Sequence, residues 1–294
     1  MDPRRQRDRN PRLVYGQITG YGLGPAQDVA SYDHGAFWSA SGLAALYADG
    51  DGVPPQPAGG MGDRATGTAL AGAIAAALFR RERTGVGEHV TGSLLRTAMW
   101  LMASDVADAL REPEGERVND RTRAPVPTVN CFRCADGRWL WLQCMLPDRM
   151  WSALLTALDA HWLDDDSRFR SGDRRSLAKA GPALVEALDE LFRQRTLSEW
   201  SARLTAAGVP FAPVRSLGEA VADPGTATAG AFLEMEHAGT RYRTVNTPCT
   251  FEGTPAAART ASPGVGQHTR EVLAELGVPA AEIEALDRAT AATV

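Results

Sequence analysis

The longest helical pattern in the chain follows a glycine-rich stretch at residues 57–67. Leu70, Ile74 and Leu78 recur every four residues with alanines between them, which is the spacing of an α-helix. Arginines occupy the end of this pattern and Gly85 follows them, as is typical of a helix C-terminus. The sequence therefore predicts a long helix that begins within the glycine-rich stretch and ends before Gly85.

Two strand patterns and a second helix pattern flank this helix. Residues 13–19 alternate and carry Val, Tyr and Ile, and residues 88–93 form a second short strand pattern. The glycine-rich loop 20–25 follows the first strand, at the end of a strand where α/β sheets usually bind ligands. Residues 94–110 predict one continuous helix, and the basic, polar residues 1–10 predict a disordered or solvated arm.

The rest of the chain predicts a smaller α+β domain inserted into an α/β domain. Two strand patterns meet at the turn Asp136-Gly137, and three amphipathic helices and a further strand follow them. A hairpin pattern at residues 232–250 and two helix patterns end the chain. The predicted organisation is 1–110 for the first part of the large domain, 111–123 for a linker, 124–216 for the small domain, and 217–294 for a linker and the return to the large domain.

Composition excludes several classes of protein. Of the 294 residues, 44% are apolar and 23% are charged, as in ordinary globular proteins. The formal net charge of −5 argues against a nucleic-acid partner, and no apolar run reaches the ~18 residues of a membrane span. Because the start lacks the apolar core of a signal peptide and the four cysteines suit a reducing compartment, we expect a cytoplasmic protein.

One pair of cysteines has the spacing of a zinc or redox site. Cys131 and Cys134 form a C-x-x-C motif. A zinc site needs two further ligands, and the sequence holds no second C-x-x-C and no H-x-x-x-H pair. No metal site is therefore predicted.

Two aspartates are the candidates for chemistry, since Asp33 and Asp63 each lie on a glycine-flanked loop before a predicted helix. Asp63 is predicted at or near the helix N-cap, beside backbone N–H groups that lack intrahelical partners. One interpretation is that Asp63 only caps the helix. The other is a nucleophilic carboxylate with N–H donors nearby for an oxyanion, on a loop whose glycines let a ligand approach closely. The local sequence leaves both interpretations open.

Short motifs follow one another along nearly the whole chain. They include Asn10-Pro11-Arg12-Leu13-Val14-Tyr15, Ile18-Thr19-Gly20-Tyr21-Gly22, Ser31-Tyr32-Asp33, Gly62-Asp63, Thr66-Gly67, Arg83-Thr84-Gly85-Val86-Gly87, Ala135-Asp136-Gly137, Ala207-Gly208-Val209-Pro210 and Gln267-His268-Thr269-Arg270. In this combination they resemble the family III (CaiB/BaiF-type) CoA transferases, and formyl-CoA transferases among them. The resemblance implies a large Rossmann-like α/β domain with a smaller α+β domain inserted.

The same resemblance implies a reaction and a set of site residues. Asp63 would be the nucleophile that carries coenzyme A between an acyl-CoA thioester and a small carboxylic acid, and Asp33 would be the neighbouring acid. Tyr32 and the glycines of the loop would line the acyl-CoA pocket: Gly59, Gly60 and Gly62. Coenzyme A would be a substrate, with no permanently bound cofactor.

The resemblance also implies an interlocked homodimer. Family members begin with a nucleotide-type α/β segment that supplies much of the CoA pocket, whereas this sequence begins at the motif after it. We therefore expect the large domain to be incomplete at its N-terminus and CoA binding by this chain alone to be weak. The alternative is that a partner chain supplies the segment.

Two alternatives to CoA transfer stay open. One is an acyl-CoA racemase of the same fold, although the racemases carry a histidine directly before the residue that matches Asp33, and this chain has Tyr32 there, with His34 on the other side. The other is a truncated, non-catalytic chain that only binds a partner.

Overall fold

The computed structural model describes residues 2–48, 51–112, 120–237, 239–255, 257 and 260–291. The helices are α1 (Pro3–Arg9), α2 (Leu43–Leu46), α3 (Met61–Thr84), α4 (Leu94–Leu101), α5 (Ala103–Arg111), α6 (Pro147–Leu158), α7 (Arg174–Lys179), α8 (Gly181–Phe192), α9 (Leu197–Ala206), α10 (Leu217–Ala222), α11 (Pro224–Thr228), α12 (Thr269–Glu275) and α13 (Ala280–Ala291). The strands are β1 (Tyr15–Thr19), β2 (His89–Ser93), β3 (Val129–Arg133), β4 (Trp139–Gln143), β5 (Phe211–Pro213), β6 (Phe232–His237) and β7 (Thr240–Val245).

The contacts divide the chain into two compact units. The first comprises residues 1–130, 145–155 and 160–188, and the second comprises 131–144, 156–159 and 189–294. The predicted domain boundaries stay a prediction. Of the predicted linker 111–123, residues 113–119 lie outside the described part of the chain. Asp49 and Gly50, from the turn before the glycine-rich stretch, lie outside it as well.

The first unit contains a pair of parallel strands connected by α3. β1 and β2 pair in register from Tyr15 opposite His89 to Thr19 opposite Ser93. Parallel neighbours need a long crossover, and here a helical segment (Asp33–Ser39), α2 and α3 all lie between the two strands. Both predicted strands and the long helix are confirmed, and the glycine loop follows the carboxyl end of β1.

The core of this unit lies under the segment that follows β1. It is built of buried apolar side chains from that segment and from the start of α4: Ala36, Phe37, Trp38, Leu43, Ala44, Leu94, Ala98 and Met102. The backbone N–H of Leu95 donates to the carbonyl oxygen of Gly20 at 3.0 Å. This bond ties the beginning of α4 to the loop after β1, so the core supports the carboxyl end of the sheet.

Two sequence-based predictions in this unit are wrong. Residues 3–9 form helix α1, because the Asp2 side chain caps the backbone N–H of Arg4 at 2.8 Å, Pro3 begins the helix, and arginines lie near its C-terminal end. The predicted helix 94–110 is two helices. The backbone leaves the helical region at Met102, whose side chain is buried in the core, and α5 begins at the next residue.

The second unit holds an antiparallel sheet with an aromatic core. β4 lies between β3 and β5, and Leu140 opposes Pro213 across the antiparallel pair β4–β5. On the inner face, Phe132 stacks on Phe192 with ring centroids 4.8 Å apart, and the Trp200 indole donates to the Phe192 carbonyl oxygen at 2.8 Å. The predicted strands and the turn at Gly137 are confirmed. The predicted hairpin within 232–250 is confirmed as β6–β7.

No described helix is both long enough and apolar enough to span a membrane.

Candidate active site

Asp63 is the third residue of α3 and lies in its first turn. The expectation that Asp63 lies at or near the N-cap is confirmed: the N-cap itself is Gly60, with a left-handed φ of 69°, and Asp63 follows three residues later. The Asp63 side chain is exposed and, within the described residues, accepts no hydrogen bond. The carboxylate is therefore not engaged in capping, and it lies where a helix N-terminus favours negative charge.

Asp33 begins the short helical segment Asp33–Ser39 and is buried, with only 7% of its surface exposed. Its Oδ1 is inaccessible to solvent and has no hydrogen-bond partner among the described residues. A buried carboxylate oxygen without a partner is costly to fold, so such a group is a candidate for a functional role.

Gly62, the residue before Asp63, packs closely on Asp33. A Cβ added to Gly62 would lie 2.3 Å from Asp33 Oδ1 and 2.2 Å from Phe37 Cγ, both far inside van der Waals contact. The first turn of α3 therefore lies directly on Asp33 and Phe37, and only a glycine fits between them. Because Asp63 is the next residue, both aspartates lie at the N-terminal end of α3, Asp33 buried beneath its first turn and Asp63 exposed on it.

The helical segment that carries Asp33 is wound as a π-helix. Its backbone includes the i→i+5 hydrogen bond from Ala40 to Gly35 at 2.9 Å, and the Ser39 hydroxyl donates to the His34 carbonyl oxygen at 2.7 Å. The Trp38 indole donates to the Pro55 carbonyl oxygen at 3.1 Å, which ties the proline-rich stretch before α3 to the core. Single-turn π-helices occur often at functional sites.

The other predicted site residues lie on the surface. Tyr32 is the residue before the π-helical segment, and its side chain is 85% exposed. Gly59 is exposed, Gly60 is half-buried, and His34 is exposed. The geometry thus brings Gly62 and Asp33 into contact, whereas Tyr32 and Gly59 border the site on its solvent side.

Two residues near Asp63 were not among the sequence-based candidates. The Arg64 guanidinium donates from Nη1 to the Gly59 carbonyl oxygen at 2.6 Å, so it lies over the glycine loop. Thr66, one turn after Gly62, is buried, and its hydroxyl has no partner among the described residues. The charge of Arg64 directly after the candidate nucleophile was visible in the sequence, but the burial of Thr66 was not.

The cysteine pair does not form part of this site. Cys131 is half-buried in β3 and Cys134 is buried just after it. Burial and the nearby Asp136 carboxylate raise the pKa of Cys134 to about 11, which keeps its thiol protonated near pH 7. In the described part of the chain, no three His, Cys, Asp or Glu side chains cluster as metal ligands would.

Comparison with protein families gives a match over most of the chain. The model of "CoA-transferase family III" matches residues 1–269. The chain belongs to CoA-transferase family III. The resemblance inferred from its motifs is thereby confirmed, and the chain is an enzyme of the CoA-transferase class, which moves coenzyme A between an acyl-CoA and a carboxylate.

Relatives within CoA-transferase family III cover most of this chain. It is 32% identical over 274 residues to the (R)-2-hydroxy-4-methylpentanoate CoA-transferase of Clostridioides difficile, covering 92% of this chain and 67% of that protein. It is 28% identical to the succinyl-CoA:glutarate CoA-transferase of Homo sapiens, covering 90% of this chain and 60% of that protein. This chain is therefore shorter than both relatives.

Solved structures show the same fold. A CaiB/BaiF family protein from Brucella suis superimposes with a TM-score of 0.75 at 26% identity, covering 94% of this chain and 71% of that one. Rv3272 from Mycobacterium tuberculosis gives a TM-score of 0.79 at 25% identity, covering 91% of this chain and 70% of that one. The predicted fold class, the α/β fold of family III with its inserted α+β domain, is confirmed.

Substitution of Gly62 tests the contact that joins the two aspartates. Gly62→Ala forces a methyl group into Asp33 and Phe37, and we expect it to lower the free energy of unfolding by about 1–3 kcal/mol. Gly67→Ala is the matched control, because no heavy atom lies within 4 Å of a Cβ at Gly67 in the same helix. Alanine there should raise stability by up to ~1 kcal/mol. Equal stability of the two variants in urea unfolding would contradict the close contact.

Proposed function

We propose that this enzyme transfers coenzyme A from an acyl-CoA to a carboxylic acid through covalent intermediates on Asp63. The observation that carries the proposal is the position of Asp63: an exposed carboxylate in the first turn of α3, next to the glycine that packs on buried Asp33. A carboxylate that is neither capping a helix nor paired with a cation is free to act as a nucleophile.

The first half of the reaction loads coenzyme A onto the enzyme. The Asp63 carboxylate attacks the thioester carbonyl of the donor, which gives a mixed anhydride and releases CoA as a thiolate. The thiolate then attacks the aspartyl carbonyl of the anhydride. This step forms a thioester between Asp63 and CoA and expels the donor acid as a carboxylate.

The second half repeats these steps in reverse with the acceptor. The acceptor carboxylate attacks the Asp63 thioester and releases the CoA thiolate, and the thiolate attacks the acceptor carbonyl of the new anhydride. The products are acceptor acyl-CoA and the free Asp63 carboxylate. Each step exchanges one activated acyl bond for another, so the sequence of steps needs no external energy source.

Backbone groups at the start of α3 support this chemistry. The N–H groups of Gly62 and Asp63 have no hydrogen-bond acceptor among the described residues. Together with the positive end of the helix dipole, such groups stabilise the oxyanions that form when a carbonyl is attacked. We assign Asp33 the role of the neighbouring acid, and Tyr32, Gly59, Gly60 and Gly62 to the acyl-CoA pocket.

The relatives favour transfer over the racemase alternative. Those named above are CoA transferases by name: one is named for a 2-hydroxy acid, and the other for CoA transfer between succinyl-CoA and glutarate. Tyr32 also stands where a racemase of this fold would need its proton-transferring histidine. We therefore assign the substrates of this enzyme to acyl-CoA thioesters and small carboxylic acids.

Substitution of the nucleophile tests this proposal. We expect Asp63→Ala and Asp63→Asn to lower kcat for CoA transfer by at least 1000-fold, because no other group takes over the covalent step. Asp51→Asn, at an exposed aspartate before the site, is the control and should keep wild-type kcat. Retention of a tenth of wild-type kcat by Asp63→Ala would overturn the assignment. An inactive wild-type protein that still binds acyl-CoA tightly would favour the non-catalytic alternative.

We also propose that a second protein surface covers α3, most simply in a homodimer. Only Gly62, Thr66 and Ala77 of its 24 residues are buried. Five alanines of its middle turns are exposed: Ala69, Ala71, Ala73, Ala75 and Ala76. Phe79 is 67% exposed, and Trp100 of α4 is 77% exposed. Parallel sheets normally have both faces covered by other parts of the protein, and a largely exposed apolar helix is typical of an interface. The surface that covers α3 belongs either to a second copy of this chain or to a partner chain that supplies a further α/β segment.

Light scattering tests the homodimer. At micromolar concentration we expect twice the 31.4 kDa mass of one chain. Phe79→Glu should weaken the dimer by placing a charge in the apolar surface, whereas Leu276→Glu, at another exposed apolar side chain away from α3, should not. A monomer for the wild-type protein, or identical dimer stability of both variants, would contradict the assignment of α3 to a homodimer interface.

A further inference from the structure

Arg64 follows Asp63 directly, and its guanidinium is held at the same end of α3. Nη1 donates to the Gly59 carbonyl oxygen at 2.6 Å, and a Cβ added to Gly60 would lie 3.1 Å from that nitrogen. Side chains of an α-helix lean towards its N-terminus, which is the direction that brings Arg64 back over the loop. The guanidinium of Arg64 is therefore bonded to the glycine loop that directly precedes the candidate nucleophile.

The charge of this guanidinium is not neutralised. Within the described residues Arg64 forms no ion pair, whereas Arg80 and Arg81 of the same helix pair with Glu88 at 3.5 Å and Glu82 at 2.9 Å. A guanidinium carries five N–H donors in a planar fork, and the bond to Gly59 uses one of them. The remaining donors have the geometry that binds a carboxylate with two parallel hydrogen bonds.

The proposed reaction creates a need for such a cation. Its acceptor is an anion, and it must approach a helix start where Asp63 and Asp33 are already acidic. Like charges at close range repel, and one fixed positive charge offsets that repulsion. Within the described residues Arg64 also makes no ion pair with Asp63, so its guanidinium is available to an anionic group of the acceptor. Because the reacting carboxylate is occupied at Asp63, that group is a second one on the same acceptor.

We propose that Arg64 binds the second carboxylate of the acceptor and makes dicarboxylic acids the preferred acceptor class. The inference rests on the proposed function, because it presumes that the acceptor reacts at Asp63. One carboxylate of the acceptor attacks the Asp63 thioester while the other is held by the Arg64 fork over the glycine loop. An acid with one carboxylate leaves the fork empty.

Acceptor selectivity tests this assignment. The measurement is kcat/KM of the full-length enzyme for succinate and glutarate, compared with butanoate and pentanoate, using one acyl-CoA donor throughout. Arg64→Gln should lower kcat/KM for the dicarboxylates by about 10- to 100-fold, mostly through KM, as the loss of a charged hydrogen-bond pair predicts. The values for the monocarboxylates should change by less than about threefold, since these acids lose only the screened attraction of an exposed charge and no hydrogen bond.

Two further variants sharpen the result. Arg64→Lys keeps the charge but not the fork, so it should recover part of the selectivity for dicarboxylates. Arg83→Gln removes an exposed arginine from the other end of the same helix and should change neither class of acceptor. This control separates a local effect of Arg64 from a change in the net charge of the protein.

The outcomes distinguish this inference from the proposed function. An equal loss of kcat/KM for both acceptor classes in Arg64→Gln, or no loss for either, would overturn the role of Arg64 and leave Asp63 untouched. A wild-type enzyme that transfers CoA to no acid, or an Asp63→Asn variant that remains active, would instead overturn the proposed function. Selective loss for dicarboxylates supports the inference.

Discussion

The contact of Gly62 with Asp33 and Phe37 is the constraint on which the candidate site depends. It seats the first turn of α3 on the π-helical segment, with no room for even one methyl group between them. Because Phe37 belongs to a buried apolar cluster of the first unit, the contact links the position of α3 to that cluster. Because Asp63 directly follows Gly62, this contact sets the position of its backbone, although the Asp63 side chain is exposed.

Burial divides the two aspartates into different chemical environments. Asp33 is enclosed, with one carboxylate oxygen that has no described partner, whereas Asp63 is open to solvent at a helix N-terminus. In a transferase that works through covalent intermediates, the open carboxylate is the one that substrates can reach. The guanidinium of Arg64, which forms no ion pair within the described residues, adds a positive charge at the glycine loop before Asp63.

Much of this arrangement could be predicted from the sequence, because regular patterns carry it. The four-residue spacing of Leu70, Ile74 and Leu78 specified α3, and the order of the motifs specified the family and fold. What could not be predicted depends on contacts between distant residues. One example is the start of α3: its N-cap is the left-handed Gly60, so Asp63 is the third residue of the helix. The other is Met102, which is buried and separates α4 from α5 although the local sequence pattern is continuous. Which face of α3 is exposed also follows from tertiary packing, since its apolar residues lie all around the helix.

Detection of the covalent intermediate tests the central claim most directly. The enzyme would be mixed with an acyl-CoA donor, quenched with acid within one turnover, and digested for mass spectrometry. A thioester at Asp63 predicts a peptide heavier by the mass of coenzyme A less one water, and treatment with hydroxylamine should convert Asp63 to a hydroxamate. The Asp63→Asn protein should show neither product. A CoA adduct on any other residue, or an active enzyme with no adduct, would contradict the account.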